Sequence, residues 1–217
     1  LRERVEESAT TLLDQLEGDS DVVDIVDRYC SQLPVAIIGD ILGVPDEDRP
    51  RILHFGEMGA PSLDIGLSWQ QFQQVNEGID GFNSWLGRHL RQLRSNPGDD
   101  LMSKLAVERV ATKEATAAEA AGMLVQLLVA GHETTASMLS LGVVALLRHP
   151  DQLNALRADD DLVPGAVEEL LRYLTVVHIG LRRIAVEDAE IGGVTIRAGE
   201  GVVVALQSAN RDPAVFG

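Results

Sequence analysis

Ala130-Gly131-His132-Glu133-Thr134-Thr135 places a glycine, an imidazole, a carboxylate and two hydroxyls on successive residues of an otherwise apolar stretch. From Ala120 to Leu147 the single acid is Glu133, and there is no Lys or Arg. Glycine inside a helix costs about 1 kcal/mol against alanine. A Glu taken out of water without a partner costs more, or shifts its pKa. The Thr134 hydroxyl can bond back to a carbonyl one turn earlier and loosen the helix. Together these predict a bent or widened turn with room for a ligand, and a carboxylate beside a hydroxyl suited to handling protons. The alternative is a glycine for close helix packing and a Glu that reaches the surface, and pattern alone leaves both open.

Two further groups carry chemistry in principle. Glu169 and Arg172, three apart, share a helix face and can pair; on spacing alone a surface ion pair worth about 0–1 kcal/mol explains them as well. Arg182-Arg183 suits bidentate carboxylate recognition, and equally a solvated strand end. Cys30, the single cysteine of the chain, reads as a small, mostly buried thiol.

The elements that must position these groups are mostly helical. Apolar positions predict helix over 1–30 with a break at Gly18-Asp19-Ser20, a short apolar helix from Pro34 to Leu42 ended by Gly43, and another from Asp46 to about Gly59. A long amphipathic helix follows from Ser68 to about Arg94. Asp99 or Asp100 can cap a short helix through Val110. Thr116-Ala117-Ala118-Glu119 is a capping box that opens a central helix to about 148; its apolar part, at about 1.5 Å per residue, is about 42 Å long. That is enough to span a membrane, but Gln126, His132, Glu133, Thr134 and Thr135 at mid-helix favour the centre of a soluble domain. Pro150 and Pro164 open two more helices. The period then alternates: 184–186, 190–191 and 194–196 read as strands with Gly192-Gly193 as the hairpin turn, and Val202 to Leu206 as a last strand.

The chain has 217 residues, 45% apolar and 24% charged, an ordinary globular composition with no repeat or low-complexity tract. One cysteine excludes an intrachain disulfide framework and a Cys-rich zinc site. Against 34 acids there are 18 basic residues, of which Lys104 and Lys113 are the lysines, for a net charge of −16. This argues against nucleic acid, which needs a basic patch. The first residue is Leu1 and the last ones follow a turn-like Asn210-Arg211-Asp212-Pro213, so the chain reads as a piece of a longer protein.

Taken in order, these segments resemble the cytochrome P-450 heme-thiolate monooxygenases of the soluble bacterial kind. Leu42-Gly43-Val44-Pro45, Ala130 to Thr135, Ala166 to Tyr173 with its Glu-x-x-Arg, Arg183 to Gly201, and Ala209 to Pro213 match the family's motifs in order and spacing. The resemblance implies a mainly α fold, here incomplete, with a long central helix at about 116–148 and a small antiparallel sheet at about 181–206. It makes residues 1–217 the central portion of a single domain. It implies heme b (iron protoporphyrin IX) as cofactor, with Ala130, Gly131 and Thr134 beside it and Arg183 on a propionate. It casts Glu133 and Thr134 as the catalytic acid–alcohol pair and Glu169 and Arg172 as a structural pair of the heme core. Gln126, Val129, Val177, His178 and Ile179 fall near its substrate pocket, although an ordinary loop imidazole also explains His178. The axial cysteine is expected downstream of Gly217, and helices preceding Leu1 are expected as well.

The implied reaction is hydroxylation or epoxidation of a hydrophobic small molecule with O2 and electrons from ferredoxin and ferredoxin reductase. The implied setting is the bacterial cytoplasm, in secondary metabolism, with neither nucleic acid nor membrane as partner. Two rivals remain at this level: a heme-free relative that activates a partner enzyme such as a glycosyltransferase, and an all-helical small-molecule binder. A protein without oxygen chemistry has no physical need for an acid and an alcohol at mid-helix, and a simple binder predicts neither Glu169/Arg172 nor Arg183.

Overall fold

The computed structural model describes residues 1–17, 22–63, 66–105 and 116–216. The backbone forms two compact units, Leu1–Ser140 and Leu141–Gly217.

In the first unit α1 (Arg2–Asp14) leads to a π-helical turn, Val26–Cys30, then α2 (Gln32–Leu42) and α3 (Arg49–Gly59). The helix expected over 22–30 is therefore corrected to a wide turn; polar Asp24 turns the chain into it, its carboxylate accepting from the amides of Val26 and Asp27. Gly43 ends α2 in the left-handed region, φ 74°, where an L side chain is disfavoured. Arg49 ties α3 back to α2 through Asp40 and the Ala36 carbonyl, and also pairs with Asp46 at 2.8 Å.

The long helix α4 (Trp69–Ser95) begins at a complete capping box, Ser68 with Gln71. It lies close on α3: a Cβ at Gly81 would sit 2.5 Å from the Phe55 ring, and one at Gly78 would sit 2.7 Å from Met58 Cβ. Asp100, rather than Asp99, caps the short α5 (Leu101–Lys104), accepting from the Ser103 amide at 2.7 Å. The expected continuation of that helix over 106–110 lies outside the described residues. The central α6 (Ala117–Arg148) starts from Thr116, whose amide and hydroxyl both donate to Glu119 while its oxygen accepts from the Glu119 amide.

The core of this unit gathers Leu42, Val44, Ile52, Phe82, Trp85, Leu86, Met102, Leu124 and Leu128 from α2 through α6. Phe55, Phe82 and Trp85 meet at ring angles of 88° and 42°, arrangements that favour aromatic quadrupoles over flat stacking. Cys30 is fully buried here. The Gly122–Arg148 part of α6 is long and apolar enough to cross a membrane by length and composition; Leu124 and Leu128 are nevertheless part of this core.

The second unit continues with α7 (Pro150–Ala158) and α8 (Val163–Leu174), each with proline in its first turn. Two short antiparallel ladders follow. β1 (Arg183–Ile184) pairs with β4 (Gly201–Val202), and β2 (Ala189–Ile191) with β3 (Val194–Ile196) through the Gly192-Gly193 turn, both glycines at positive φ. The strand expected from Val202 to Leu206 is corrected: it stops at Val202, and Leu206–Ala209 form a single-turn helix, α9. The apolar run reads as strand, but the chain must turn into Asn210-Arg211-Asp212, whose backbone closes the helical turn onto Leu206 and Ser208.

Candidate functional site

In the first unit, one row of α6 faces the core. Leu124, Leu128, His132 and Ala136 recur every four residues and are all buried, as the helical period requires of one stripe. Gln126, Val129, Ala130 and Glu133 lie on a face turned away from that row, with Gln126 and Ala130 exposed and Val129 and Glu133 half-buried. Thr134 is half-buried, and its hydroxyl donates to the Ala130 carbonyl at 2.6 Å. The widened turn expected around Gly131 is absent: the segment is α-helical throughout, because the Thr134 bond adds to the helical pattern without displacing it. A Cβ on Gly131 would meet Ile38 Cδ1 at 3.4 Å, so this glycine also serves close approach to α2.

His132 occupies a position that the row gives to leucine. Burial pushes its imidazole below the ordinary 6.5, against the opposing pull of Glu133, Glu57 and the Ser31 backbone.

In the second unit Glu169 and Arg172 form a bidentate pair, with Nε to Oε2 at 2.7 Å and Nη2 to Oε1 at 2.6 Å. The Arg172 hydrogen bond holds the Glu169 carboxyl below its usual range. Arg172 also donates through Nη1 to the Asn210 carbonyl at 2.5 Å, across 38 residues of sequence, and its guanidinium lies 4.8 Å over the Phe216 ring. Asn210 in turn donates its amide to Thr175 Oγ1 at 3.0 Å, and that hydroxyl donates to the Arg172 carbonyl. Thr175 is buried and sits at φ 40°, a conformation costly for a β-branched residue. The pair thus belongs to a closed polar network, which its surface spacing did not reveal.

His178 and Ile179 line an open cleft of about 790 Å³ together with Ala205, Gln207, Arg211 and Asp212. Val177 beside them is exposed. Arg211 is fixed by the Tyr173 carbonyl at 3.0 Å and lies over the Tyr173 ring at 5.2 Å. Arg183 is exposed on β1, and its Nη1 donates to the Leu181 carbonyl at 3.2 Å.

The structure therefore groups the sequence-derived residues in three places: the outward face of α6, the Glu169–Arg172 network, and the cleft at His178 and Ile179. Thr175 and His132 carry no signal by type. Asn210 lies in the turn-like Asn-Arg-Asp-Pro, which marks it as a turn and not as an acceptor for Arg172. Among the described residues no group of three His, Cys, Asp or Glu side chains is placed to hold a metal ion.

A family model described as cytochrome P-450 matches residues 61–217. The chain is 49% identical over 221 residues to a Mycobacterium tuberculosis protein designated cytochrome P-450 140, covering 100% of this chain and 50% of that one. It is 41% identical over 216 residues to pentalenic acid synthase of Streptomyces avermitilis, covering 100% and 52%. Among solved structures it is similar to the P-450 BioI in complex with an acyl carrier protein carrying hexadec-9Z-enoic acid, at TM-score 0.90 and 34% identity, covering 98% of this chain and 54% of that one. A mycinamicin VIII methyl hydroxylase from Micromonospora griseorubida matches at TM-score 0.89 and 34% identity, covering 100% and 53%. The chain spans about half the length of the curated relatives it matches.

Proposed function

The chain belongs to the cytochrome P-450 family, and from that premise we propose that its full-length protein is a heme-dependent monooxygenase of which residues 1–217 are the central portion of one domain. It hydroxylates or epoxidises a hydrophobic small molecule, using O2 and electrons from a ferredoxin and its reductase. The setting is the bacterial cytoplasm, in secondary metabolism. Relatives named for pentalenic acid synthesis and mycinamicin hydroxylation support that substrate class.

The observation that carries the reading is the face of α6 turned away from its buried row, where Ala130, Glu133 and the Thr134 hydroxyl converge within little more than one turn. The small side chain at Ala130 leaves room for a flat ring. Arg183 is exposed with a single backbone acceptor at Nη1, which leaves guanidinium donors for a propionate. Each within its own unit, these residues would suit a heme b, Ala130 and Thr134 beside the ring and Arg183 on a propionate. When bound, the heme supplies the binding and reduction of dioxygen. Cys30 does not fit as the axial ligand: it is fully buried on the π turn of the first unit. A cysteine elsewhere in the full-length protein would hold the heme iron.

The chain's own residues do the rest. Thr134 holds a proton at Oγ1, oriented by the Ala130 carbonyl. Glu133, half-buried one residue before it, takes protons from water and passes them towards that hydroxyl. The buried row of Leu124, Leu128 and Ala136 keeps the opposite side of the helix dry. Glu169 and Arg172 are structural, holding α8 to the Asn210 turn. Gln126 and Val129 on α6 and, separately, Val177, His178 and Ile179 in the second unit are the residues we assign to substrate contact.

The test uses the full-length protein. Its reduced, carbon monoxide-treated form should give the thiolate-heme difference band. Thr134→Ala should keep that band while diverting reducing equivalents from product to peroxide. A correctly folded protein without the band overturns the reading in favour of the heme-free helper, and unchanged coupling removes Thr134 from proton handling.

A further inference from the structure

The side of α4 opposite its buried Phe82 and Leu86 carries charges that its own chain leaves unpaired. Glu77, Asp80, Ser84, Arg88 and Arg91 are all exposed, and at about 100° per residue they fall within about 40° of one line along the helix. The line divides by sign, with acids at 77 and 80 and arginines at 88 and 91. A solvated helix is stabilised by an acid four residues before a base. The residues four after Glu77 and Asp80 are instead Gly81 and Ser84. Among the described residues none of the four charges makes an ion pair. The helix dipole does not explain them, since its influence fades within the terminal turns. Glu77, Asp80 and Arg88 lie seven or more residues from both ends of Trp69–Ser95.

The acidic half of this face also lines a shallow groove of about 680 Å³, together with Trp69 and Phe72. Those two rings stack at 5.5 Å and are 71% and 45% exposed, a continuous apolar surface left in water.

We propose that this face binds a second copy of the chain, with the two α4 helices antiparallel about a two-fold axis at Ser84. Residues equally distant from Ser84 then face each other. Glu77 and Arg91 lie seven residues to either side of it, and Asp80 and Arg88 four to either side. Every acid therefore meets an arginine of the second copy, and the guanidinium fork suits a carboxylate. The Trp69–Phe72 pair falls opposite the Asn96-Pro97 turn of the second copy, which covers the exposed rings. Ser84 is small enough for the helices to approach at the axis. A parallel arrangement would set acid against acid and arginine against arginine, so the charges select the antiparallel one. Such a self-complementary patch is what a two-fold interface requires. Contact along about 35 Å of helix, about 10 Å wide, covers roughly 400 Å² per copy. That is about half of what a stable interface buries on each partner, so the dimer is weak and sensitive to salt.

The test is sedimentation velocity of the full-length holoenzyme over a concentration series. Its readout is mass and not turnover, independent of the monooxygenase reading. Association in about 0.1 M salt should weaken about tenfold or more in about 1 M, as the screening length falls from about 10 to about 3 Å. Glu77→Arg with Asp80→Arg gives an all-basic face, and Arg88→Glu with Arg91→Glu an all-acidic one. Each double variant alone should lose about tenfold or more in self-association, because every facing pair becomes like-charged. An equimolar mixture of the two should associate again, because every facing pair is then attractive. Ser84→Arg sets two like charges on the axis and should abolish association even if a double variant loses stability.

A native protein that stays monomeric at every concentration overturns the proposal. Self-association retained by both double variants, or by Ser84→Arg, places the contact elsewhere and overturns it as well. Loss in both double variants at native Tm, without recovery in the mixture, rejects the antiparallel pairing.

Discussion

The two units of the chain are held together by different physics. The first buries large apolar side chains from five helices, among them Leu42, Ile52, Leu86, Met102 and Leu124, each at most 2% exposed. In the second, no described apolar side chain is buried. Val163, Val167 and Leu171 recur every four residues along α8 and are all nearly half exposed, and Ile191 and Val194 on a ladder and Val186 in the bend before it are more exposed still. Its order comes from directional contacts instead: the Glu169–Arg172–Asn210–Thr175 network, two guanidinium–ring contacts, proline-led helices and a glycine hairpin. Burial contributes roughly 25 cal/mol per Å² of apolar surface, while a net hydrogen bond gives about 1 kcal/mol and an exposed ion pair about 0–1. The first unit therefore carries most of the chain's stability, and the second carries precise local geometry on a weak base.

The sharpest way to break that contrast is truncation on each side. Leu86→Ala should destabilise the 217-residue chain by about 2–5 kcal/mol, and Leu171→Ala by no more than about 0.5 kcal/mol, both read from denaturant unfolding. Equal losses would show that the second unit has a core of its own. A smaller effect is expected at Thr175→Ala, which takes the acceptor from Asn210 Nδ2 and the donor from the Arg172 carbonyl; about 1 kcal/mol should be lost, visible as faster exchange of the amides around 174–176. Thr175→Gly should lose less, because glycine accepts the left-handed backbone that threonine occupies under strain.

The smallest effect is electrostatic. Arg172→Leu should return the Glu169 carboxyl upward to its ordinary 4.5, as followed by side-chain carboxyl NMR across an acid titration. The sign follows from linkage. A carboxyl depressed in the folded state contributes stability above its unfolded pKa, and that contribution is lost as pH falls below about 4.5 through the folded value. The native chain should show this acid loss and the variant should not.

Legibility from sequence followed the range of the interactions. The capping box at Thr116, the Gly43 stop, the Gly192-Gly193 hairpin and the prolines at 150 and 164 were all readable, since each closes within four residues. Glu169 and Arg172 were readable as a pair, but their link to Asn210 was not, because nothing near residue 172 announces an acceptor 38 positions on. The π turn at Val26–Cys30 and the end of β4 at Val202 were misread for the same reason. Apolar runs there satisfy a simple period, and only the surrounding chain decides whether the backbone keeps it.

What the amino-acid order determined by itself is where most of the helices begin, the family motifs from Leu42 to Pro213, and the placement of a carboxylate and a hydroxyl at the centre of one long helix. Caps, φ preferences and i to i+4 bonds are satisfied by neighbours in the chain, so they are written in short words. Tertiary structure alone decided which face of that helix is dry, that His132 stands in the dry row, and that Thr175 accepts a left-handed backbone to serve Asn210. Burial and long-range hydrogen bonding depend on what another segment presents opposite, and that partner has no fixed distance in sequence.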